Sequence, residues 1–143
     1  MDLRSAGGEV RRFLDAPRYG VVGTSEPDGT IWQAVVWYAL GDAGIVLNAR
    51  HGRRGLANLR RDPRLSLAVA DGEDYVILRG TADVIDDPER GLAEALALAR
   101  RYGSDDTYAG QRRVAVLLHP EHVAVHGEIH LGEDAKGPSD TRA

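Results

Sequence analysis

The sequence predicts a mainly β protein whose strands form a single antiparallel barrel or sandwich. Short apolar runs recur along the chain and are separated by turn signals rich in glycine, proline and aspartate. One of the longest runs is interrupted by Gly80, as strands often are at a bulge or a barrel corner. A chain of 143 residues can bury one core without disulfides or a structural metal. Many short antiparallel strands in one small domain form a barrel or a sandwich.

The first half of the chain is predicted to hold one helix and three strands. Residues 9–14 form a short helix that the following proline ends. Strands are expected over residues 19–25, 30–40 and 45–49. Residues 26–29 place proline and glycine where a tight turn needs them. By their spacing, these strands form an antiparallel meander.

The second half of the chain is predicted to alternate strands with two helices. A short helix bracketed by glycines lies within residues 48–67, and strands follow over residues 64–70 and 75–85. The last two strands are expected over residues 113–119 and 122–131, joined by a Pro-Glu pair.

The clearest helix lies between those two pairs of strands. Asp87 suits its N-cap, Pro88 its first position and Gly103 its left-handed stop. Its apolar stripe is predicted to consist of Leu92, Leu96, Ala99 and Tyr102. The sequence therefore predicts one domain over residues 1–131 and a flexible, polar tail over residues 132–143.

Composition and charge exclude several classes of function. The chain has no cysteine, which excludes disulfides, thiolate metal sites and thiol nucleophiles. A net charge of -4 argues against nucleic acid as a partner, and no run approaches the ~18 apolar residues that span a bilayer. We therefore expect a cytoplasmic protein without membrane or nucleic-acid partners. His126, Glu128 and His130 alternate near the C-terminus, and we interpret them as an exposed strand face, not as a metal site.

A basic segment follows the third predicted strand. Within residues 48–67 there is one acid, Asp62, against six arginines: Arg50, Arg53, Arg54, Arg60, Arg61 and Arg64. Free N–H groups at a helix N-terminus, the helix dipole and nearby guanidinium groups together make an anion site. The segment therefore predicts a bound phosphate, and a solvated charged face is the alternative.

The two tryptophans are candidates for contacts with a ring system. Trp32 and Trp37 are five residues apart, which places them on opposite faces of a regular strand. We expect one in the core, and the other either stacked on a bound ring or buried at a subunit interface.

Several ordered motifs point to a family. They include Y-G-V-V-G-T (residues 19–24), V-V-W-Y (35–38), R-R-G-L-A-N-L-R-R-D-P-R-L-S-L (53–67) and G-T-A-D-V (80–84). Together they resemble the pyridoxamine 5′-phosphate oxidase-like split-barrel superfamily. Within it, N-L-R-R-D-P-R and V-W-Y are most similar to the flavin/deazaflavin oxidoreductases that use coenzyme F420. The resemblance covers roughly residues 10–125.

The resemblance implies a split β-barrel of six to seven strands with short flanking helices, which forms a homodimer with two cofactor sites at the interface. It implies that the cofactor is held by Val35, Val36, Trp37, Asn48, Ala49, Arg54 and Asn58, and the basic segment adds Arg50 and Arg53 as candidates for the phosphate. Two positions depart from the family pattern: Gly55 replaces a phosphate-binding Lys, and Ala49 replaces a Thr. Arg50 or Arg53 could supply the missing charge.

The resemblance implies an F420-dependent oxidoreductase that transfers a hydride to a conjugated small molecule, such as an enone, quinone or tetrapyrrole. An FMN-dependent oxidase or reductase is the first alternative, and a split-barrel protein without turnover is the second. Because the cofactor carries the hydride chemistry, no catalytic nucleophile is needed. Tyr38, Tyr75 and Arg79 are candidates for polarising the substrate or donating its proton.

Overall fold

The computed structural model describes residue 3 and residues 5–132 of the chain. This part of the chain contains three helices: α1 (Gly8–Asp15), α2 (Arg54–Arg61) and α3 (Pro88–Arg101). It contains seven strands: β1 (Gly20–Ser25), β2 (Ile31–Val36), β3 (Ala39–Leu40), β4 (Ile45–Arg50), β5 (Arg64–Asp71), β6 (Asp74–Ile85) and β7 (Arg113–His126). None of these helices has the length and apolar character required to cross a membrane.

All seven strands belong to one antiparallel sheet, in the order β2-β1-β5-β6-β7-β4-β3. Its two edge strands, β2 and β3, are consecutive in the chain and are separated only by Trp37 and Tyr38. Three peptide steps reach at most about 11 Å, so the sheet must curl until its edges nearly meet. The predicted mainly β, antiparallel split barrel with short flanking helices is confirmed.

The strand predicted over residues 30–40 is wrong as one element, because it breaks between β2 and β3. Tyr38 leaves the ladder at this break, is fully buried, and donates its backbone N–H to the Tyr102 hydroxyl at 3.2 Å. The predicted antiparallel meander is otherwise confirmed, because β1 pairs with β2 and β3 pairs with β4; β4 pairs in addition with β7. Burial of the Tyr38 side chain at this break thus interrupts the alternation of side chains between the two sheet faces that a single strand would show.

The last two predicted strands are a single strand, β7, which passes through Pro120. Gly80 lies opposite Pro120 and Arg79 lies opposite His122, so Glu121 is an extra residue in the ladder. A Cβ on Gly80 would collide with the His119 carbonyl group, which explains the glycine at this bulge. Strand β7 ends at His126, and residues 133–143 of the predicted tail lie outside the described residues.

Helix α3 has the predicted caps but presents a different face to the sheet. The Asp87 carboxylate accepts a hydrogen bond from the Arg90 N–H, and Pro88 is the first helical residue. The buried residues of α3 are Gly91, Ala95, Leu98 and Ala99, whereas Leu92 is 38% exposed. A Cβ on Gly91 would collide with the Arg113 carbonyl group, so the glycine lets α3 pack directly on the backbone of β7.

The buried residues form two separate hydrophobic clusters. The main cluster lies inside the curled sheet and includes Leu67, Val76, Leu78, Leu118 and Val123. A second, smaller cluster consists of Ala95, Ala99 and Tyr108, with Trp37 and Leu96 packed against it. The second cluster anchors the loop that follows α3 and places that loop beside the open edge of the barrel.

Candidate functional site

A cleft of about 740 Å³ opens where the start of α2 meets β1, β2, β4 and β7; we call it the large chamber. Its lining includes Val22, Thr24, Trp32, Ala34, Val35, Val36, Asn48, Ala49, Arg50, Arg53, Arg54, Gly55, Leu56, Asp106, Tyr108, Gln111 and Arg113. A cavity of about 350 Å³, the small chamber, lies next to it and shares Val35, Val36, Asn48, Asp106, Tyr108 and Arg113. The two chambers are therefore adjacent parts of one site and share part of their lining.

Strand alternation gives the large chamber an apolar wall. On β1 and β2, Val22 lies opposite Ala34, and Thr24 lies opposite Trp32. These cross-strand partners point to the same face of the sheet, because side chains alternate with a period of two. Three of these four side chains are apolar, which suits the wall to the face of a planar ring system.

The first turn of α2 forms the polar end of the large chamber. Arg53 is the N-cap residue, and the first backbone bond of the helix runs from the Ala57 N–H to the Arg53 carbonyl oxygen. The N–H groups before it have no partner within a helix, so they are available to an anion. A Cβ on Gly55 would meet no atom within 4 Å, which shows that space is open above this turn.

Arg54 is held beside the chamber by two contacts. Its guanidinium carbon lies 4.8 Å from the centroid of the Trp32 ring, and its Nη1 atom lies 3.8 Å from Glu26 Oε1. The side chain of Arg54 remains 60% exposed. Its charge is therefore oriented toward the chamber and still accessible to a ligand.

The nine predicted cofactor residues fall into three groups. Seven of them line the large chamber: Val35, Val36, Asn48, Ala49, Arg50, Arg53 and Arg54. Trp37 lines the small chamber and stacks on Tyr102, with ring centroids 5.0 Å apart. Asn58 lies behind the lining, is 2% exposed, and donates to the Thr24 hydroxyl at 3.0 Å. Asn58 therefore links α2 to β1 through a buried hydrogen bond.

The three residues proposed for catalysis lie away from both chambers. Tyr38 is fully buried and donates its hydroxyl to the Ala16 carbonyl oxygen at 3.2 Å; burial raises the pKa of Tyr38 to about 12. Tyr75 stacks on His126, with ring centroids 5.0 Å apart. Arg79 is exposed beside the β6–β7 bulge. No catalytic role for them is visible in this geometry.

Arg113 and Tyr108 are site residues that the sequence did not reveal. The Arg113 Nε–H donates to Asn48 Oδ1 at 2.9 Å, and Nη1 donates to Gln111 Oε1 at 2.9 Å. Its guanidinium carbon lies 4.4 Å from the centroid of the Tyr108 ring, and burial lowers the pKa of Arg113. The one available signal was an aromatic residue, Tyr108, in an otherwise polar loop.

The residues considered as metal ligands are not brought together. Within the part of the chain that the structure describes, no group of three or more His, Asp or Glu side chains could hold a metal ion. The His126 ring packs on Tyr75, and Glu128 and His130 lie beyond the end of β7. The alternation of these residues on one strand face therefore does not occur.

A curled antiparallel sheet with a cleft between a basic helix start and an apolar wall defines the class of flavin-type split-barrel proteins. The family model described as pyridoxamine 5′-phosphate oxidase matches residues 6–134. The chain belongs to this family, which includes oxidoreductases. No curated protein matches the sequence.

Solved structures with the same fold include proteins of different activity. An F420 reductase is 24% identical, with a TM-score of 0.73 over 80% of this chain and 94% of that one. A conserved hypothetical protein from Mycobacterium tuberculosis is 25% identical, with a TM-score of 0.73 over 88% and 89% of the two chains. A heme storage protein from Vibrio cholerae is 18% identical, with a TM-score of 0.68 over 83% and 93%. The resemblance to the superfamily that includes F420 reductases is confirmed.

Proposed function

We propose that this protein is a coenzyme F420-dependent oxidoreductase that reduces a conjugated small molecule. The observation that carries the proposal is the open first turn of α2, where Arg53 and Arg54 flank free backbone N–H groups beside an apolar wall. An anionic cofactor tail and a planar ring need these two environments side by side. The fold shared with an F420 reductase supports the choice of cofactor.

The residues present fit such a cofactor. Arg53, Arg54 and the N–H groups of the first turn would hold the phosphate, and the open space above Gly55 admits it. The backbone of β2 at Val35 and Val36 would lie along the ring system. A chamber of about 740 Å³ is within the usual range of roughly 300–1,000 Å³ for ligand sites. When bound, the reduced deazaflavin supplies the hydride.

The role of the protein is then to bind the cofactor and the substrate, to orient them, and to keep water away from them. The apolar wall of β1 and β2 excludes water from one side of the cleft, and water exclusion strengthens each polar contact inside it. Tyr38, Tyr75 and Arg79 are not used in this proposal, because none of them reaches the cleft. A proton for the product would come from water or from a group that lines the chambers.

We also propose that a second copy of the chain completes the cleft. Ile31 and Val35 lie on the outer face of β2, with Gln33 between them, and are 68% and 69% exposed. Val21 lies opposite Val35, and Tyr19, two residues before Val21, is 68% exposed. Exposed apolar side chains on an edge strand mark an interaction surface. Since Val35 also lines both chambers, a partner on this face would lie at the edge of the cleft.

The test is a titration of the purified protein with F420, FMN and FAD, followed by tryptophan fluorescence. We expect saturable F420 binding that Arg54→Ala weakens by about 10- to 100-fold, as lost charge-assisted hydrogen bonds imply. Arg60→Ala is the matched control, because Arg60 pairs with Asp86 at the far end of the same helix. Binding of FMN alone would support the FMN-dependent alternative, and no binding of any flavin would support a protein without turnover.

A further inference from the structure

The small chamber contains a cation that the cofactor proposal does not use. Arg113 lies where the two chambers meet, and its side-chain hydrogen bonds go to neutral acceptors, Asn48 Oδ1 and Gln111 Oε1. An arginine side chain has five N–H donors, so several remain for a ligand. Arg113 takes part in no ion pair with an acid of residues 5–132.

The charge of Arg113 is poorly compensated within the protein. Burial disfavours its charged form, and the nearby charges of Arg53 and Arg50 lower its pKa further, while Tyr108 and Asp106 act in the opposite direction. The Asp106 carboxylate is already an acceptor for the Tyr108 backbone N–H at 2.8 Å. A partly buried cation without an ion pair is stabilised by an anion that enters the cleft.

The loop that carries Tyr108 holds this side of the chamber in a strained conformation. Tyr108 has φ 55°, in the left-handed region, and no other described residue apart from glycines has positive φ. This backbone conformation is unfavourable for a bulky residue, and residues strained in this way cluster at binding sites. The strain is compensated by packing, since the Tyr108 ring lies between Arg113 and the buried Ala95 and Ala99.

The remaining walls of the small chamber suit a flat, conjugated molecule. Tyr19 and Trp37 line it together with Ala95 and Leu98 of α3. A volume of about 350 Å³ can hold one or two rings but not a large macrocycle. The small chamber thus combines the rings of Tyr19, Trp37 and Tyr108 with two charged side chains, Arg113 and Asp106. Because Asp106 Oδ1 already accepts the Tyr108 N–H, the guanidinium group is the one that recognises a planar molecule with a negative charge.

We infer that the small chamber is the substrate subsite and that Arg113 binds a carboxylate there, so that planar conjugated acids are preferred over neutral enones and quinones. The assignment of this anion site to the substrate rests on the proposed function, whereas the binding of an anion by Arg113 does not. Arg113 is then a residue that determines specificity, and Asn48 and Gln111 fix the orientation of its guanidinium group.

The experiment compares trans-cinnamate with methyl trans-cinnamate, which lacks the negative charge and carries one additional methyl group. Equilibrium dialysis measures their binding to the full chain without cofactor. We expect cinnamate to bind about tenfold or more tightly than its ester, and Arg113→Gln to abolish that preference. Arg112→Gln is the matched control, because Arg112 is an exposed neighbour outside both chambers and should keep the preference.

Two further variants separate a loss of anion binding from a loss of folding. Arg113→Lys keeps the charge, so it should retain part of the preference even if Arg113→Gln folds poorly. In a Trp32→Phe background, Trp37 is the one remaining tryptophan, and cinnamate bound in the small chamber should quench its fluorescence. Equal binding of acid and ester, or a preference that survives in Arg113→Gln, would overturn the inference.

Titration of the same variants with F420 separates the two proposals. If Arg113→Gln weakens F420 binding as strongly as Arg54→Ala does, Arg113 belongs to the cofactor site and the inference fails while the proposed function stands. If F420 does not bind at all but the acid preference depends on Arg113, the anion subsite stands and the proposed function fails. We expect F420 binding to depend on Arg54 and cinnamate binding to depend on Arg113.

Discussion

The guanidinium group of Arg54 lies over the Trp32 ring, 4.8 Å from the ring centroid, while Glu26 approaches it from the side at 3.8 Å. The ring attracts the cation, and the carboxylate partly neutralises it. Both contacts keep the long side chain close to the first turn of α2. The same carboxylate must, however, compete with any anion that Arg54 binds.

Replacing Glu26 with glutamine should therefore strengthen cofactor binding. Arg54 is 60% exposed in this pair and Glu26 18%, and a partly exposed ion pair is worth about 1 kcal/mol or less. Glu26→Gln should therefore raise the F420 affinity by up to about 5-fold, and added salt should reduce the gain. Fluorescence titration at low and high salt measures this. Glu73→Gln is the control, since Glu73 is an exposed acid in the turn between β5 and β6. Equal affinities in all three proteins would show that Arg54 does not meet the anion.

Restoring the lysine that the family resemblance implies at position 55 should also strengthen binding. A Cβ on Gly55 meets no atom within 4 Å, so a lysine can be accommodated at the edge of the large chamber. One added charge-assisted contact of about 1.4 kcal/mol corresponds to a roughly tenfold gain in F420 affinity for Gly55→Lys. Gly55→Ala is the control and should raise the melting temperature through helix propensity without tightening binding. Calorimetric titration distinguishes the two effects.

Much of the fold could be predicted because its signals are local. Turn glycines, the N-cap Asp87 and the alternation of β5 and β6 each act within a few residues. The break at Tyr38 and the passage of β7 through Pro120 could not be predicted in this way. Tyr38 leaves the ladder because distant residues bury it and bond to it, and Pro120 is tolerated because a glycine on another strand leaves room for the bulge.

The residues of the candidate site also divide into those that local sequence signals mark and those that only the fold brings together. The basic first turn of α2 is contiguous in sequence, so the charge of Arg53 and Arg54 could be recognised directly. Arg113 enters the cleft through cross-strand pairing of β4 with β7, which places Arg113 opposite Arg50 and bonds its side chain to Asn48. Nothing near Arg113 in the sequence marks this contact, because it joins residues 65 positions apart.

Asn58 offers a test of whether a buried amide serves the cofactor or the fold. Asn58→Ala leaves the buried Thr24 hydroxyl without its donor, which should lower the free energy of unfolding by about 1–3 kcal/mol. The F420 affinity of the folded protein should stay unchanged, because Asn58 does not line the chamber. Urea denaturation and fluorescence titration measure the two quantities. A large loss of affinity with unchanged stability would restore the cofactor role that the family resemblance implies.

The exposed face of β2 should control the oligomeric state. Ile31→Lys places a charge on the proposed interface and should convert a dimer into a monomer in sedimentation velocity experiments. Leu92→Lys is the control, since Leu92 is an exposed apolar residue on α3, away from β2. A wild-type protein that sediments as a monomer at high concentration would contradict the proposed dimer.

Tyr38 should make stability fall at alkaline pH. Burial raises the pKa of Tyr38 from about 10 in the unfolded chain to about 12, so the folded protein favours the neutral phenol. The contribution of Tyr38 to the free energy of unfolding is fully present below pH 10. It is lost as the pH rises from 10 toward 12, because the phenol of the unfolded chain releases its proton first. Urea denaturation across this range should show a steeper loss for wild type than for Tyr38→Phe, which has no ionisable group at this position. The phenolate absorbance of wild type minus that of Tyr38→Phe should titrate near 12, and a difference that titrates near 10 would show that the hydroxyl is solvated.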